Sequence, residues 1–137
     1  MADLSITAAN VGLTDTVGAV TQNVQVGEAV TQGQPGYLHT DSKYYQTDAD
    51  AGAPNAAATG IFLTPAAADE YAVFLTSGPV DLGATLTVGE TYIVSGTKGG
   101  IAPIGDAASG WFKTTLGNAI TASRLDVDID ASGVAVP

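Results

Sequence analysis

Apolar and polar residues alternate with a period of two in several short segments, and this pattern constrains the fold more than any other feature. Residues 3–8 alternate in this way, and residues 125–130 do so strictly. Val24 and Val26 alternate with polar residues in the same way, and short apolar runs at 71–75 and 92–94 are rich in residues that favour strands. Because successive side chains of a strand point to opposite faces, these segments are predicted to be β-strands.

Turn-forming residues interrupt the apolar runs about every 8–12 residues, which is the spacing of a small sandwich or barrel. They include Gly33–Gly36, Ser77–Pro79, Gly96–Gly100 and Ser132–Gly133. Residues 39–45 have the pattern of a hairpin. The sequence therefore predicts an all-β protein, a small single-domain β-barrel or sandwich.

Helix is expected only in short turns. In an alanine-rich stretch, Pro54 argues against a long helix, and a short one is predicted over Asn55–Ala58 with Asp48 or Asp50 as its N-cap. Pro65–Asp69 is expected to form another short helical turn.

The N-terminus is predicted to be an extended arm, residues 1–12, in front of a single β-rich domain, residues 13–137. No turn signal joins the arm to the next strand, and ten extended residues span about 33 Å at ~3.3 Å per residue. The arm could therefore cross to a neighbouring subunit and add to its sheet. The residues expected to make this contact are Leu4, Ile6, Ala8 and Asn10. The alternative is an ordinary first strand of the body.

The charge balance excludes several kinds of partner. The chain has 14 acidic and 4 basic residues, a net charge of −10. Nucleic-acid binding needs lysine and arginine to neutralise phosphates, and anionic lipid attracts the same residues. We therefore expect no nucleic-acid partner and no membrane partner. The absence of cysteine excludes disulfides and thiolate chemistry.

No catalytic or cofactor-binding residues are predicted, and the chain is not expected to be an enzyme. The single histidine, His39, lies in the predicted hairpin, and no serine has the spacing of a nucleophile elbow. Gly96–Gly100 lacks the spacing of a phosphate-binding loop and is expected to be a β-turn. The single histidine is interpreted as a surface or interface residue.

No metal site is predicted either. Asp126, Asp128 and Asp130 have the spacing that begins a calcium-binding loop. Ala131 stands where that loop needs glycine, and Pro137 stands where it needs glutamate. The three carboxylates are expected to form a solvated face of a strand.

Two aromatic pairs could serve as a carbohydrate-stacking platform or as buried anchors. Tyr44–Tyr45 and Trp111–Phe112 both follow turn signals. Aromatic side chains near loops more often anchor a core or an interface, and this is the interpretation we favour.

Several segments together resemble the head decoration, or capsid cement, proteins of tailed bacteriophages. They are Met1–Val11, Val26–Leu38, Asp48–Asp50, Val88–Ser95 and Gly99–Pro103. The resemblance covers most of the chain in order, although residues 12–23 have no counterpart and none of the segments is a chemical signature.

The resemblance implies a structural virion protein on the outer surface of the mature capsid, made in the host cytoplasm. Its expected partners are the major capsid protein and two further copies of itself in a homotrimer, which clamps the head against internal DNA pressure. The alternatives are a phage tail or fibre component, and a carbohydrate-binding adhesin module.

Overall fold

The protein is described here by a computed structural model covering residues 3–13 and 18–137. Strands make up 46% of it and helix 8%, which confirms the prediction of a small all-β domain. Ten strands form one sheet that curls into a half-barrel. They are β1 (Val11–Gly12), β2 (Val20–Gln25), β3 (Pro35–Leu38), β4 (Tyr44–Gln46), β5 (Gly60–Phe62), β6 (Tyr71–Leu82), β7 (Thr91–Val94), β8 (Ile101–Pro103), β9 (Phe112–Ala119) and β10 (Arg124–Ala135).

Strand β6 organises the sheet because its two halves have different neighbours. In its first half, Leu75 pairs with β2 on one side and with β5 on the other. In its second half, Asp81 pairs with β1 on one side and with β10 on the other. From β6 the sheet continues through β10, β9, β7 and β8 in one direction and through β5, β3 and β4 in the other.

The turn predicted at Ser77–Pro79 is wrong. These residues lie inside β6, where the strand changes its neighbours. Gly78 has a φ of 108°, and the backbone of Gly18 and Ala19 lies where its Cβ would stand. The glycine thus allows close backbone approach at the point where β6 changes partners.

Two clusters of buried side chains fill the half-barrel. The larger includes Ile61, Leu75, Leu82, Ile101, Leu116 and Leu125, and the smaller consists of Val24, Val26, Val30, Phe62, Ala72 and Phe74. The smaller cluster is closed where Val26 bridges to Tyr44 of β4.

The helix lies two residues earlier than predicted, at Ala53–Ala56 (α1). Pro54 stands in its first turn, where the missing N–H costs nothing, so the proline begins the helix instead of limiting it. The N-cap is Gly52, and neither aspartate has that role. The Asp48 carboxylate instead accepts a hydrogen bond from the Asp50 N–H at 3.0 Å.

The helical turn predicted at Pro65–Asp69 is wrong. A turn closes there through the Glu70 N–H, which donates to the Ala67 carbonyl at 3.0 Å. Asp69 has a φ of 70°, a left-handed conformation that a right-handed helix excludes. Short 3₁₀ turns occur at Ala8–Asn10 and Ile104–Asp106.

The hairpin predicted at residues 39–45 is confirmed. Strands β3 and β4 pair through Leu38 and Tyr44, and the His39 N–H donates to the Lys43 carbonyl at 2.9 Å. The β-turn predicted at Gly96–Gly100 is also present, closed by the Gly100 N–H on the Thr97 carbonyl at 2.9 Å.

Candidate functional site

The predicted contact residues lie on a segment that runs over the surface of its own domain. We call residues 3–12 the N-terminal segment; residues 1 and 2 of the predicted arm lie outside the described residues. The Leu4 N–H donates to the Ile101 carbonyl, and the Thr7 N–H donates to the Gly83 carbonyl, both at 2.8 Å. The segment then enters β1.

Its alternating sequence produces two unlike faces without forming a strand. Leu4, Ile6 and Ala8 are half-buried, whereas Ser5 and Thr7 are exposed. The strand predicted here is therefore wrong: the chain is extended up to Thr7 and then turns in the 3₁₀ helix. A strand needs a ladder of hydrogen bonds to a neighbouring strand, and residues 3–8 make only isolated ones to Ile101 and Gly83.

A buried hydroxyl fixes the start of the segment. The Ser95 Oγ donates to the Asp3 carboxylate at 2.7 Å and accepts from the Thr97 N–H at 3.0 Å. Ser95 itself is fully buried. Such a charge-assisted hydrogen bond is stronger than a neutral one, so Asp3 is an anchor.

Glycines of the body allow the N-terminal segment to lie close to its surface. A Cβ at Gly100 would stand 2.5 Å from the Asp3 carboxylate, and one at Gly33 would stand 3.0 Å from Ile6 Cγ2. Gly83 has a φ of 63°, and its missing side chain leaves room for the Thr7 carbonyl. The body is thus shaped to receive this segment.

Two grooves flank the N-terminal segment. One, of about 210 Å³, is lined by Leu4, Ile6 and Ala8 together with Thr31–Gln34 and Gly99–Gly100. The other, of about 560 Å³, is lined by Asn10 together with Ser5, Thr7, Asp81, Gly83–Thr85 and Ser123. The structure therefore brings three predicted contact residues together and places Asn10 on the opposite side. Their contact with a neighbour stays a prediction.

The acidic row of β10 is exposed, as predicted. Asp126, Asp128 and Asp130 are exposed, and they line a groove of about 650 Å³ with β9 residues. Within residues 3–13 and 18–137, no three His, Cys, Asp or Glu side chains are grouped so that they could hold a metal ion.

The aromatic pairs are anchors of the fold. Trp111 and Phe112 pack against the larger core cluster, with the Trp111 indole over Gly96. Tyr44 packs against Phe74 with ring centroids 5.0 Å apart. These positions agree with the core interpretation that the sequence favoured.

An aromatic group that the sequence did not indicate lies on the β3–β4 hairpin. The exposed His39 ring lies 5.2 Å from the Tyr45 ring, and Tyr45 lies 6.1 Å from Tyr37. The Tyr45 hydroxyl donates to the Asp41 carboxylate at 2.5 Å. The ring contacts and the Asp41–Tyr45 hydrogen bond tie the two strands and the loop of the hairpin together. In the sequence, only the four-residue spacing of Asp41 and Tyr45 across the loop indicated that these two side chains could meet.

The Asp41–Tyr45 hydrogen bond predicts an alkaline pH dependence. It raises the pKa of Tyr45 to about 12 and lowers the pKa of Asp41. Because the folded pKa of Tyr45 exceeds its usual value of 10.0, this contribution to stability is present below pH 10 and is lost as the pH rises toward 12. In Asp41→Asn we expect one tyrosine to ionise nearer pH 10 in an absorbance titration at 295 nm. An unchanged titration curve would show that the hydrogen bond does not form.

The basic side chains are largely neutralised by ion pairs. Lys43 pairs with Asp69 at 2.6 Å, Lys98 with Glu28 at 2.5 Å and Arg124 with Asp81 at 3.5 Å. These partners use three of the four basic residues, while the row on β10 keeps its carboxylates exposed. The surface is therefore acidic.

No helix of the described residues is long and apolar enough to cross a membrane.

No protein-family model matches the chain, and no curated protein is significantly similar to it.

Proposed function

We propose that this chain is a structural decoration, or cement, protein that binds the outer surface of the mature head of a tailed phage. In this proposal it contacts the major capsid protein, sits as three copies around a three-fold position, and stabilises the head against internal DNA pressure. The resemblance of the segments from Met1–Val11 to Gly99–Pro103 is the starting point, and two features of the molecule support it: the N-terminal segment and the acidic surface.

The N-terminal segment is the observation that carries the proposal. It is held at a few points, its apolar residues are only half-buried, and a groove runs along each side of it. These grooves are lined mostly by small side chains and backbone, without a group of titratable residues that could perform chemistry. Such a surface suits recognition of another protein chain.

The acidic surface supports a position outside the shell. Packaged DNA repels a protein with a net charge of −10 because both are negative, and such a protein lacks the cations that would displace phosphate counterions. Three of the four basic side chains are held by carboxylates, which reduces the local positive potential further. The outer surface carries no such penalty.

The physical effect of cement is linkage between binding and shell stability. A ligand that binds only the expanded shell stabilises it by RT ln(1 + [L]/Kd) at each site, about 2.7 kcal/mol at a hundredfold excess over Kd. Many sites on one head multiply this contribution, so even a domain without catalytic groups can prevent rupture.

The proposal predicts saturable binding to expanded heads. Purified protein should co-sediment with mature heads that lack it, and reconstruction should show triangular density on the outer surface. Unexpanded heads are the control, and they should bind far less. Density confined to the tail, or binding to a glycan array without binding to heads, would favour a fibre or an adhesin and overturn the proposal.

A further inference from the structure

Strand β2 has one open edge. Residues Val20–Gln25 pair with β6, and they make no other backbone–backbone hydrogen bond within the described residues. Residues 20–23 are all exposed, so both faces of the strand meet solvent there. Val20 is 54% exposed although it lies on the same face as the buried Val24.

An open edge is a template for another strand, and proteins usually block it with charges, proline or bulges. The sequence of β2, VTQNVQ, contains no charged residue and no proline. Its single register shift lies between Val20 and Thr21, at the first residue of the strand. The edge is therefore left open to pairing over Thr21–Gln25.

The unpaired side of β10 shows the contrast. Residues 128–135 of β10 pair with β9 on one side, and no described strand pairs with them on the other. Here Asp128 and Asp130 add charge, Gly133 has a φ of 68°, and the register shifts twice. Those devices oppose strand addition, and β2 lacks them.

We propose that β2 is a self-association edge, at which two copies of this chain pair their β2 strands antiparallel about a two-fold axis. Centred on Gln22, this register places Val20 opposite Val24 of the other copy and Thr21 opposite Asn23. Two β-branched pairs and one pair of amides then face each other, and such cross-strand pairs stabilise a sheet.

If two copies associate, charge favours contact at β2 over contact elsewhere on the surface. Two chains that each carry −10 repel each other, and contact through β10 would oppose rows of aspartates. Strand β2 joins the copies without placing charges opposite each other. At physiological ionic strength the remaining repulsion is screened beyond about 8 Å. The contact does not depend on the proposed function, and its two-fold symmetry distinguishes it from the three-fold contact on the head.

The decisive measurement is the mass of the free protein at increasing concentration, by sedimentation equilibrium. We expect a monomer–dimer equilibrium of chains of 13.6 kDa each. Gln22→Glu opposes two carboxylates at the axis and should weaken pairing about tenfold or more. Val20→Glu should also weaken it. The control is Val134→Glu, which adds the same charge at a valine of β10 that is 65% exposed; it should leave the association unchanged.

Cross-linking tests the register independently, since the chain has no native cysteine. Gln22→Cys should form a disulfide-linked dimer under mild oxidation, and Val134→Cys should not. A monomer at every concentration would overturn the proposal, as would association that Gln22→Glu leaves unchanged. If the free protein is monomeric but Gln22→Glu abolishes head binding, the edge receives a capsid strand and self-pairing is wrong.

Discussion

Deletion of residues 2–11 is expected to remove most of the affinity for heads while leaving the rest of the domain folded. The segment supplies all four predicted contact residues, Leu4, Ile6, Ala8 and Asn10, and one edge of each flanking groove. Its removal takes away the surface on which the proposed function depends. We expect co-sedimentation with heads to fall at least about a hundredfold, as for loss of the central residues of an interface.

The deletion will also lower the free energy of unfolding, but only moderately, because the apolar side chains of the segment are partly buried. Leu4, Ile6 and Val11 pack against the larger core cluster but are only partly buried. Full burial of such a side chain contributes about 1.5–3 kcal/mol, so partial burial contributes less. The truncated protein should therefore melt at a lower temperature yet keep its cooperative transition and its β-type circular dichroism.

A pair of double variants tests which face of the N-terminal segment contacts the head. Leu4→Ser with Ile6→Ser alters the half-buried face, and Ser5→Ala with Thr7→Ala alters the exposed face of the same segment. If the segment leaves its seat to hold a neighbour through its apolar residues, the first variant loses head affinity and the second keeps it. Complete unfolding of the truncated domain would instead show that residues 2–11 are part of the core and that the arm prediction is wrong.

The sequence predicted two kinds of strand correctly: segments in which apolar and polar residues alternate, and short runs of strand-favouring residues such as 92–94, which lie in the buried β7. Residues 125–129 lie in β10 and residues 71–75 in β6, and the aspartates of β10 are exposed as their alternation required. Alternation is informative there because solvent covers one face of the strand. The acidic row was predictable for the same reason, and the hairpin at residues 39–45 was predictable from its turn residues, Asp41 and Ser42.

Other strands were missed because their sequences show no clear alternation of apolar and polar residues. Strand β5 is buried at all three of its residues, and β9 contains small residues and the irregular Gly117 at a φ of 152°. Neither produces alternation. Ser132–Gly133, predicted as a turn, lies within β10 at a shift in its register. Glycine marks backbone irregularity in both turns and bulges, and only tertiary pairing distinguishes them.

The candidate site could be predicted only in part. Alternation at residues 3–8 indicated two unlike faces, and these exist. The sequence could not show that Ser95 would bury its hydroxyl against Asp3, or that Gly33 and Gly100 would lie beneath the segment, because these residues are far apart in the chain. Long-range packing, and not local pattern, positions the segment.

Phe74→Ala is expected to cause the largest loss of stability among single substitutions considered for this domain. Phe74 is 0% exposed, and its ring centroid lies 4.9 Å from that of Phe62 and 5.0 Å from that of Tyr44. Gly36 and Gly60 face its ring so closely that a Cβ at Gly36 would stand 3.0 Å from it and one at Gly60 2.6 Å. The ring thus fills the centre of the smaller core cluster.

Removing that ring leaves a cavity that the β-strands around it cannot easily collapse to fill. Substitutions of this kind cost about 3–5 kcal/mol, a large share of the roughly 5–15 kcal/mol that stabilises a domain of this size. Urea unfolding should show a lower midpoint at nearly constant slope, so that the free energy of unfolding falls by that amount. Tyr71→Ala, in the same strand but at a side chain 66% exposed, is the matched control and should change stability by less than about 0.5 kcal/mol. A loss below about 1 kcal/mol for Phe74→Ala would mean that Phe62, Tyr44 and the two glycines do not enclose the ring, and the described packing of the smaller cluster would be wrong.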